Sequence, residues 1–346
     1  MVEPCAAHGS VRDSLPGVTF LVSDRAATHA PVKVAVLDDY QDVARHYGPW
    51  EELGDAVDVT VFTDHVADEE SLVDRLAGFS VVVAMRERTA FPRRVLQRLS
   101  DLRLLVTTGM GNAAIDLVAA KDHGVVVSGT GGLGPPTVEL TWALILGLAR
   151  DIVHEDNSIR AGGWQRSVGT DLAGATLGVV GLGRLGSRVA DIGQAFGMDV
   201  IAWSQNLQSA TAQARGVRAV SKDELFRTAD VVTVHLQLSE RTRGLITKED
   251  LALLKPTATI VNTSRGPIID EGALLEALSS GKLAGAGLDV FDVEPLPDDH
   301  PLRSAPRTLL TPHIGYVTDG TYHVFYREAV EDIAAFLAGH PVRVLN

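Results

Sequence analysis

Three ionisable residues in the second half of the chain follow apolar runs that are typical of buried strands. Arg265 follows "ATIVNTS", Glu294 lies in "LDVFDVEPLP", and His313 lies in "LLTPHIG". Arginine is a permanent, planar donor that can bind a carbonyl or a carboxylate through two hydrogen bonds. Histidine gives or takes a proton near neutral pH, and an adjacent carboxylate favours its charged form and fixes its ring. The three side chains suit proton transfer at an oxygen that the arginine holds.

Each of these residues also has an ordinary explanation when it is taken alone. A lone histidine is usually structural, and an acidic residue in a proline-rich loop is usually solvated. Open α/β sheets, however, bind ligands beyond the carboxyl ends of their strands. We therefore expect the three side chains to converge on one crevice.

A glycine motif precedes them in the chain and strengthens this interpretation. "GLGRLG" at 181–186 directly follows the strand pattern "TLGVV" and opens the helix pattern "RLGSRVADIGQAF". This is the context that the dinucleotide-binding fingerprint requires. Gly181 allows a tight turn, Gly183 lets the backbone approach a pyrophosphate, and Gly186 permits close packing of helix on strand. Amides at the start of the helix then face the phosphates.

The next strand pattern ends in "IAWSQN", which puts Ser204 where an acidic residue that binds the ribose of NAD is expected. Serine neither accepts two ribose hydrogen bonds nor repels a 2′-phosphate. The predicted cofactor is therefore NAD or NADP, with weak discrimination, or with a preference for NADP if a nearby basic group reaches the 2′-phosphate. Arg215 and Arg218 are close in sequence, but their direction cannot be read from it, and Arg184 lies inside the glycine turn.

Alternating strand and helix patterns must position these residues. The apolar runs that we interpret as strands fall into two sets: "VKVAVLD", "VDVTVF", "SVVVAM", "LRLLVTT" and "GVVVSG", then "TLGVVGLG", "MDVIAWS", "ADVVTVHL", "ATIVNTS", "LAGAGLDV" and "RTLLTPH". Runs this rich in Val, Ile and Leu are typical of parallel strands that are buried on both faces. The sequence predicts an α/β fold with two doubly wound parallel-sheet units.

Two long helix patterns link the units. The first is "PPTVELTWALILGLARDIVHEDNSIR", which we expect to form one long hinge helix, and the second is "GTYHVFYREAVEDIAAFLAG" near the end of the chain. Residues 1–30 have no comparable pattern, and we interpret them as a mobile extension.

Composition excludes several classes of function. The net charge of −13 argues against nucleic acid or an anionic membrane as a partner. No apolar run approaches the roughly 20 residues that span a bilayer. The single cysteine, Cys5, fits a reducing cytoplasm, which is the predicted location. Neither a G-x-S-x-G nucleophile motif nor a metal-ligand spacing occurs, so no metal is expected.

From residue 32 onward the chain resembles the D-isomer-specific 2-hydroxyacid dehydrogenase family. The segments that carry the resemblance are "GLGRLG", "NTSRGPIIDEGALLEAL", "GLDVFDVEP" and "TPHIG". The resemblance implies hydride transfer between a nicotinamide cofactor and C2 of a small 2-keto or D-2-hydroxy acid. It also implies a flavodoxin-like substrate domain at 31–133 and 316–346, with a Rossmann dinucleotide-binding domain at 134–315.

The resemblance assigns roles to individual residues. Arg265 would bind the carboxylate and keto oxygen of the substrate, and Glu294 would pair with His313, the general acid and base. The residues expected at the cofactor are Gly181, Gly183, Arg184, Leu185, Gly186, Ser204, His235, Thr263 and Asp289, the last of them near the carboxamide of the nicotinamide.

The segment "TTGMGNAAID" resembles the substrate loop of the family, in which backbone amides around Met110 and Gly111 would hold the carboxylate. "MRERT" offers Arg86 and Arg88 to the distal end of a substrate, although exposed charges after a strand are an equally good explanation. The chain departs from the family pattern at 112–114, where "NAA" replaces the usual Val-Asp-Asn, and at Gln237, where many members have proline.

The sequence leaves alternatives open for the oligomeric state and for the class of function. Family members commonly form homodimers through the nucleotide domain, and the apolar stretch "ELTWALILGLA" is expected either at that interface or buried within one chain. The alternative function is a nucleotide-sensing binding protein, similar to the corepressors that share this fold. A formate dehydrogenase is disfavoured because that branch has glutamine where Glu294 stands.

Overall fold

The computed structural model describes residues 30–346, so Cys5 and the predicted extension lie outside the described residues, apart from Ala30. The described chain folds around two sheets, and every strand pairing within them is parallel. The predicted α/β class with two doubly wound units is therefore confirmed.

The first sheet is built from five short strands near the start of the described chain. They are β1 (Val32–Val36), β2 (Val57–Val61), β3 (Val81–Ala84), β4 (Leu104–Thr107) and β5 (Val126–Gly129). Their order is β2-β1-β3-β4-β5, which is that of flavodoxin-like folds. All four residues of β3 are buried, as expected for a central strand with helices on both faces.

The second sheet has seven strands. They are β6 (Thr176–Val180), β7 (Asp199–Trp203), β8 (Arg218–Ala219), β9 (Val231–Val234), β10 (Thr259–Asn262), β11 (Gly285–Leu288) and β12 (Thr308–Leu310). Their spatial order is β12-β11-β10-β9-β6-β7-β8. The chain adds β7 and β8 on one side of β6 and then continues with β9 on its other side. Ligands of open parallel sheets bind at such a switch point, which here lies between β6 and β9. The two-residue strand β8 was not predicted, because it is too short for a hydrophobic pattern.

Helices cover both sheets. The α-helices are α1 (Ala44–Tyr47), α2 (Glu69–Leu76), α3 (Arg93–Leu96), α4 (Leu117–Asp122), α5 (Pro135–Ala149), α6 (Ile152–Arg160), α7 (Arg184–Ala195), α8 (Ser209–Gln213), α9 (Lys222–Thr228), α10 (Lys248–Leu253), α11 (Glu271–Ser279) and α12 (Asp319–Leu337). Short 3₁₀ helices span Trp50–Ala56, Gly266–Ile268 and Pro301–Ser304.

The predicted single hinge helix is wrong. It is divided into α5 and α6 at Asp151, whose φ of 48° lies in the left-handed region that interrupts a right-handed helix. The two pieces also differ in burial, since α5 packs against α7 and strands β10 to β12, whereas α6 has no buried residue. The apolar stretch of α5 is therefore buried within the chain, which was the second of the two expectations for it.

The last helix returns the chain to the first sheet. Tyr322, Phe325 and Tyr326 of α12 pack with Val34 and Val83 in one buried cluster. The C-terminal segment then runs antiparallel along β5, where the amide of Leu345 donates to the carbonyl of Val127 over 2.8 Å. The first unit is thus completed by residues from both ends of the described chain.

Between residues 30 and 346, no helix is both long enough and apolar enough to cross a membrane.

Candidate active site

The glycine turn joins β6 to α7 as predicted. Gly181 has a φ of 103°, and a β-carbon there would lie 2.7 Å from the carbonyl oxygen of His235. A β-carbon at Gly186 would overlap the carbonyl oxygen of Gly181, so the helix packs directly on the turn. At Gly183, by contrast, an added β-carbon would have no atom of residues 30–346 within 4 Å apart from the two adjoining residues. The turn leaves open space beside the amides that begin α7, which fits a pyrophosphate group.

Ser204 follows β7 at the same edge of the sheet. The amide of Gly181 donates to the carbonyl oxygen of Trp203 over 2.9 Å, so the residue before Ser204 touches the glycine turn. The two nearby arginines have acidic neighbours: Arg218 binds Glu224 at 2.6 Å, and Arg215 lies 3.9 Å from Asp191. Both guanidinium groups thus have a carboxylate nearby, although these exposed ion pairs are weak.

His313 and Glu294 form a close pair. The Nδ1 atom of His313 lies 2.6 Å from Oε2 of Glu294, while Oε1 of Glu294 accepts a hydrogen bond of 2.9 Å from the amide of Phe291. The carboxylate is therefore fixed by backbone and fixes the imidazole in turn. His313 also has a φ of 53°, in the left-handed region that few residues other than glycine adopt.

Asp289 imposes part of that conformation. Its Oδ1 accepts hydrogen bonds from the hydroxyl of Thr311 at 2.6 Å and from the amide of Ile314 at 2.8 Å, and its Oδ2 accepts one from the amide of Gly315 at 2.9 Å. The side chain is fully buried, and burial raises the pKa of Asp289 despite these bonds. In this structure Asp289 anchors the segment on both sides of His313, a function that the sequence did not reveal.

Arg265 lies just beyond β10, and both terminal nitrogens of its guanidinium group donate hydrogen bonds. Nη1 donates to the carbonyl oxygen of Ser264 over 2.7 Å, and Nη2 donates to Oε1 of Glu87 over 2.7 Å. The side chain of Asn262 supports the turn by donating to the carbonyl oxygen of Arg265. The expected partner of Arg265 was a bound substrate, but the structure pairs it with a carboxylate of the first unit.

Glu87 is therefore a candidate site residue that sequence reasoning missed. It lies within "MRERT" between Arg86 and Arg88, and 178 positions separate it from Arg265. Burial by itself would raise the pKa of Glu87, but the positive charges of Arg86 and Arg265, the hydrogen bond from Arg265 and the nearby His313 together lower it. Glu87 is thus ionised at neutral pH.

The arginines around Glu87 are not exposed charges. Arg86 donates from Nη1 to the carbonyl oxygen of Thr108 over 3.0 Å. Arg88 donates to the carbonyl oxygen of Asp38 over 2.7 Å, and its guanidinium lies 4.4 Å from the ring centre of Tyr40 and 5.6 Å from that of Tyr316. Such stacking is a favourable contact for arginine.

The predicted substrate loop follows β4. Met110 is 56% exposed, and Gly111 is also exposed, so this loop lies at the surface. Asn112, one of the departures from the family pattern, donates to Thr107 at 2.9 Å and accepts from the amide of Ala114 at 2.9 Å. The substitution thus supplies hydrogen bonds that shape the loop.

Two further predicted cofactor residues lie inside the second unit. The Nε2 atom of His235 lies 2.9 Å from the hydroxyl of Thr233, and burial lowers the pKa of His235 to about 4. Thr263 is buried and shares a hydrogen bond of 2.8 Å with Thr141 of α5. Both side chains lie at or just past the carboxyl ends of strands β9 and β10, and His235 is neutral there.

The comparisons with known proteins agree with this geometry. A family model described as D-isomer specific 2-hydroxyacid dehydrogenase, NAD binding domain, matches residues 142–315. The chain belongs to this family. It is therefore an oxidoreductase, an NAD(P)-dependent 2-hydroxyacid dehydrogenase, and the predicted family and cofactor class are confirmed.

Individual relatives of this dehydrogenase are similar over most of its length. The glyoxylate reductase of Aeropyrum pernix is 40% identical over 263 residues, which are 73% of this chain and 78% of the relative. The D-3-phosphoglycerate dehydrogenase of Bacillus subtilis is 37% identical over 287 residues, but the match spans 54% of that longer relative. The crystal structure of a phosphoglycerate oxidoreductase from Vibrio cholerae O395 has a TM-score of 0.85 and 37% identity, with 89% of this chain and 99% of that chain covered.

Proposed function

We propose that this dehydrogenase reduces a small 2-keto acid to the D-2-hydroxy acid, or catalyses the reverse oxidation, with His313 and Glu294 as its acid and base pair and Arg265 as its substrate anchor. The observation that carries the proposal is the hydrogen-bonded pair of His313 and Glu294 in a unit that also presents Arg265. Relatives named as reductases and dehydrogenases favour catalysis over the binding-protein alternative.

The roles follow from the contacts. Because Nδ1 of His313 faces Glu294, its Nε2 atom is the one that gives a proton to the substrate oxygen during reduction. The ionised Glu294 stabilises the protonated ring before the transfer. Arg265 keeps N–H groups that neither Ser264 nor Glu87 accepts, and these can stabilise the negative charge that develops on the same oxygen.

The cofactor fits the glycine turn. The open space at Gly183 and the first amides of α7 would hold the pyrophosphate, and Ser204 would face the adenosine ribose. When bound, NAD or NADP supplies or accepts the hydride. His235, Thr263 and Asp289 remain predicted neighbours of the nicotinamide half, with Asp289 acting through the segment that it anchors.

The substrate carboxylate would bind the backbone amides of Met110 and Gly111, in an exposed loop of the first unit. Since the proton donor lies in the second unit, a bound substrate joins the two. We assign residues 31–133 and 316–346 to the substrate domain and 134–315 to the cofactor domain. Closure of the two over the cleft would exclude water during hydride transfer.

We also propose a homodimer, formed through the surface of α6 and the loop that follows it rather than through α5. This surface carries apolar side chains that α6 does not bury, including Trp164, which is 70% exposed, and Val168, which is 98% exposed. Exposed apolar patches of this kind mark interaction surfaces.

Screening tests the proposed reaction directly. Oxidation of NADH and NADPH is followed at 340 nm with a panel of 2-keto acids that differ in the group on C3. Turnover of at least one of them is expected, whereas the absence of turnover with all of them, in the presence of demonstrated cofactor binding, would favour the binding-protein alternative.

A further inference from the structure

Glu87 and Arg265 form an ion pair that joins the two units of the fold. Oε1 of Glu87, in the loop after β3, accepts a hydrogen bond of 2.7 Å from Nη2 of Arg265, which lies beyond β10. The two side chains are 20% and 29% exposed, so the pair is partly shielded from water. A charge-assisted bond between a carboxylate and a planar guanidinium group fixes direction as well as distance. The contact therefore determines where the end of the Arg265 side chain lies.

The second unit fixes the backbone of Arg265 but not the end of its side chain. The side chain of Asn262 donates to the carbonyl oxygen of Arg265 over 2.9 Å. Within residues 30–346, the only other hydrogen bond of the guanidinium group runs from Nη1 to the carbonyl oxygen of Ser264, the preceding residue. Because an arginine side chain has many rotamers, one contact with an adjacent residue does not define the direction of the group. Glu87 supplies the second point of attachment.

Glu87 is itself held in the first unit, beside the predicted substrate loop. The neighbouring Arg86 donates from its amide to the hydroxyl of Thr108 over 2.9 Å and from Nη1 to the carbonyl oxygen of Thr108 over 3.0 Å. Nε of Arg86 lies 3.7 Å from Oε2 of Glu87, a distance at which opposite charges still attract each other. Burial opposes ionisation of Glu87, but the nearby positive charges lower its pKa. The first unit thus presents a charged acceptor to Arg265.

Among the acidic side chains of this region, Glu87 is the one that binds Arg265. The others bind different partners within the described part of the chain: Glu294 binds His313, Asp289 binds the segment 311–315, and Asp38 binds His65 and Thr89. The direction of the guanidinium group consequently depends on a residue of the opposite unit.

We propose that Glu87 is a positioning residue of the reaction: from the first unit, it directs the guanidinium group of Arg265 in the second unit toward the keto oxygen of the substrate. This inference rests on the proposed 2-keto acid reduction. Glu87 does not contact the substrate, and the N–H groups that it leaves free on Arg265 stabilise the charge that develops on that oxygen. Because the pair crosses the cleft, Arg265 is correctly directed only while the two units are closed. Hydride transfer is thereby confined to the arrangement that excludes water.

Three substitutions of Glu87 separate geometry from charge. Glu87→Ala removes the acceptor and should lower kcat/KM for the best 2-keto acid roughly 100-fold, the size of a misplacement of about 1 Å. Glu87→Gln keeps an acceptor oxygen at nearly the same place and should retain activity to within about tenfold. Glu87→Asp keeps the charge but withdraws the carboxylate by one methylene group, so its activity should be closer to that of Glu87→Ala. An aspartate variant more active than the glutamine variant would overturn the positioning role, because a purely electrostatic contact needs the charge.

The affinity for NADH distinguishes positioning from general damage to the fold. The cofactor is expected to bind the second unit, so its affinity, titrated by fluorescence, should be the same in the three variants and the wild type. A loss of NADH affinity in parallel with kcat/KM would contradict the proposal. Glu52→Gln, which changes an exposed residue of the 3₁₀ helix Trp50–Ala56, is the matched control and should keep both wild-type values.

A double-variant cycle tests whether Glu87 acts through Arg265. In the Arg265→Ala background no guanidinium group remains to be directed, so adding Glu87→Ala should cause no further loss of kcat/KM. A further loss as large as that in the wild-type background would show an independent role and refute the proposal.

The outcomes distinguish this inference from the function on which it rests. Turnover by the wild type, together with near-normal kcat/KM in Glu87→Ala, would overturn the role of Glu87 and leave the proposed reaction intact. Absence of wild-type turnover with the whole 2-keto acid panel would refute the proposed reaction, and this inference with it.

Discussion

Glu294 and His313 lie 19 residues apart in the chain, yet their side chains meet at 2.6 Å between Oε2 and Nδ1. Glu294 comes from the loop after β11, and His313 follows β12, so two neighbouring parallel strands bring them together. The carboxylate is itself oriented by the amide of Phe291. A carboxylate in this position favours the protonated imidazole and leaves Nε2 free to face a substrate.

Replacing Glu294 with glutamine should shift the pH–rate profile of the reductive reaction. The amide keeps a hydrogen-bonding group near Nδ1 but removes the negative charge that stabilises the imidazolium ring. The protonated form required for reduction is then lost at lower pH, so the descending limb of kcat/KM against pH should move to lower pH. A profile identical to that of the wild type would show that the pair has no influence on catalysis.

Arg265→Lys should lower kcat/KM roughly 100-fold or more, although the charge is retained. The guanidinium group binds Ser264 and Glu87 simultaneously and still has N–H groups to offer a substrate, whereas an ammonium group cannot reproduce this planar arrangement. Arg241→Lys, an exposed arginine of the same unit, provides the control. Unchanged kcat and KM in the Arg265 variant would contradict its role as substrate anchor.

The cofactor preference is expected to depend on Ser204. A carboxylate introduced by Ser204→Asp can accept hydrogen bonds from the ribose and repels a 2′-phosphate, and charge-assisted hydrogen bonds contribute about 1.5–3 kcal/mol. The ratio of kcat/KM for NADH to that for NADPH should rise by roughly one to two orders of magnitude. If the ratio does not change, or if the wild type already prefers NADH more than about a thousandfold, Ser204 does not face the ribose.

Dimer formation can be tested at the exposed apolar surface. Val168→Asp should weaken self-association by placing a charge in the proposed interface. Light scattering at micromolar concentration should give about twice the chain mass of 36.8 kDa for the wild type and a lower average mass for the variant. A wild-type protein with the mass of one chain would exclude the dimer.

The strand and helix order of the fold could be predicted from the sequence because buried parallel strands produce continuous apolar runs. The glycine turn could also be predicted, because the spacing of its glycines follows from the close backbone contact between Gly181 and Gly186. The interruption between α5 and α6 was not predicted, because the helical pattern continues through Asp151, and an aspartate alone is too weak a signal for a left-handed residue.

The candidate site could be predicted only in part, because some of its contacts join segments that are distant in sequence. His313, Glu294 and Arg265 follow apolar runs and stand out as strand-end residues. Glu87 does not, because its significance depends on a contact between two units of the fold that are distant in sequence. The anchoring contacts of Asp289 likewise require the folded path of residues 311–315.

The most direct test of the catalytic account is the turnover number of His313→Ala, measured with the 2-keto acid that the wild type reduces best. The account predicts that kcat falls by roughly 100-fold or more, the size of a lost general acid, while the affinity for NADH, titrated by fluorescence, stays close to that of the wild type. His340→Ala, an exposed histidine, should retain full activity. Near-normal turnover by His313→Ala would contradict the account, because His313 could then not be the proton donor.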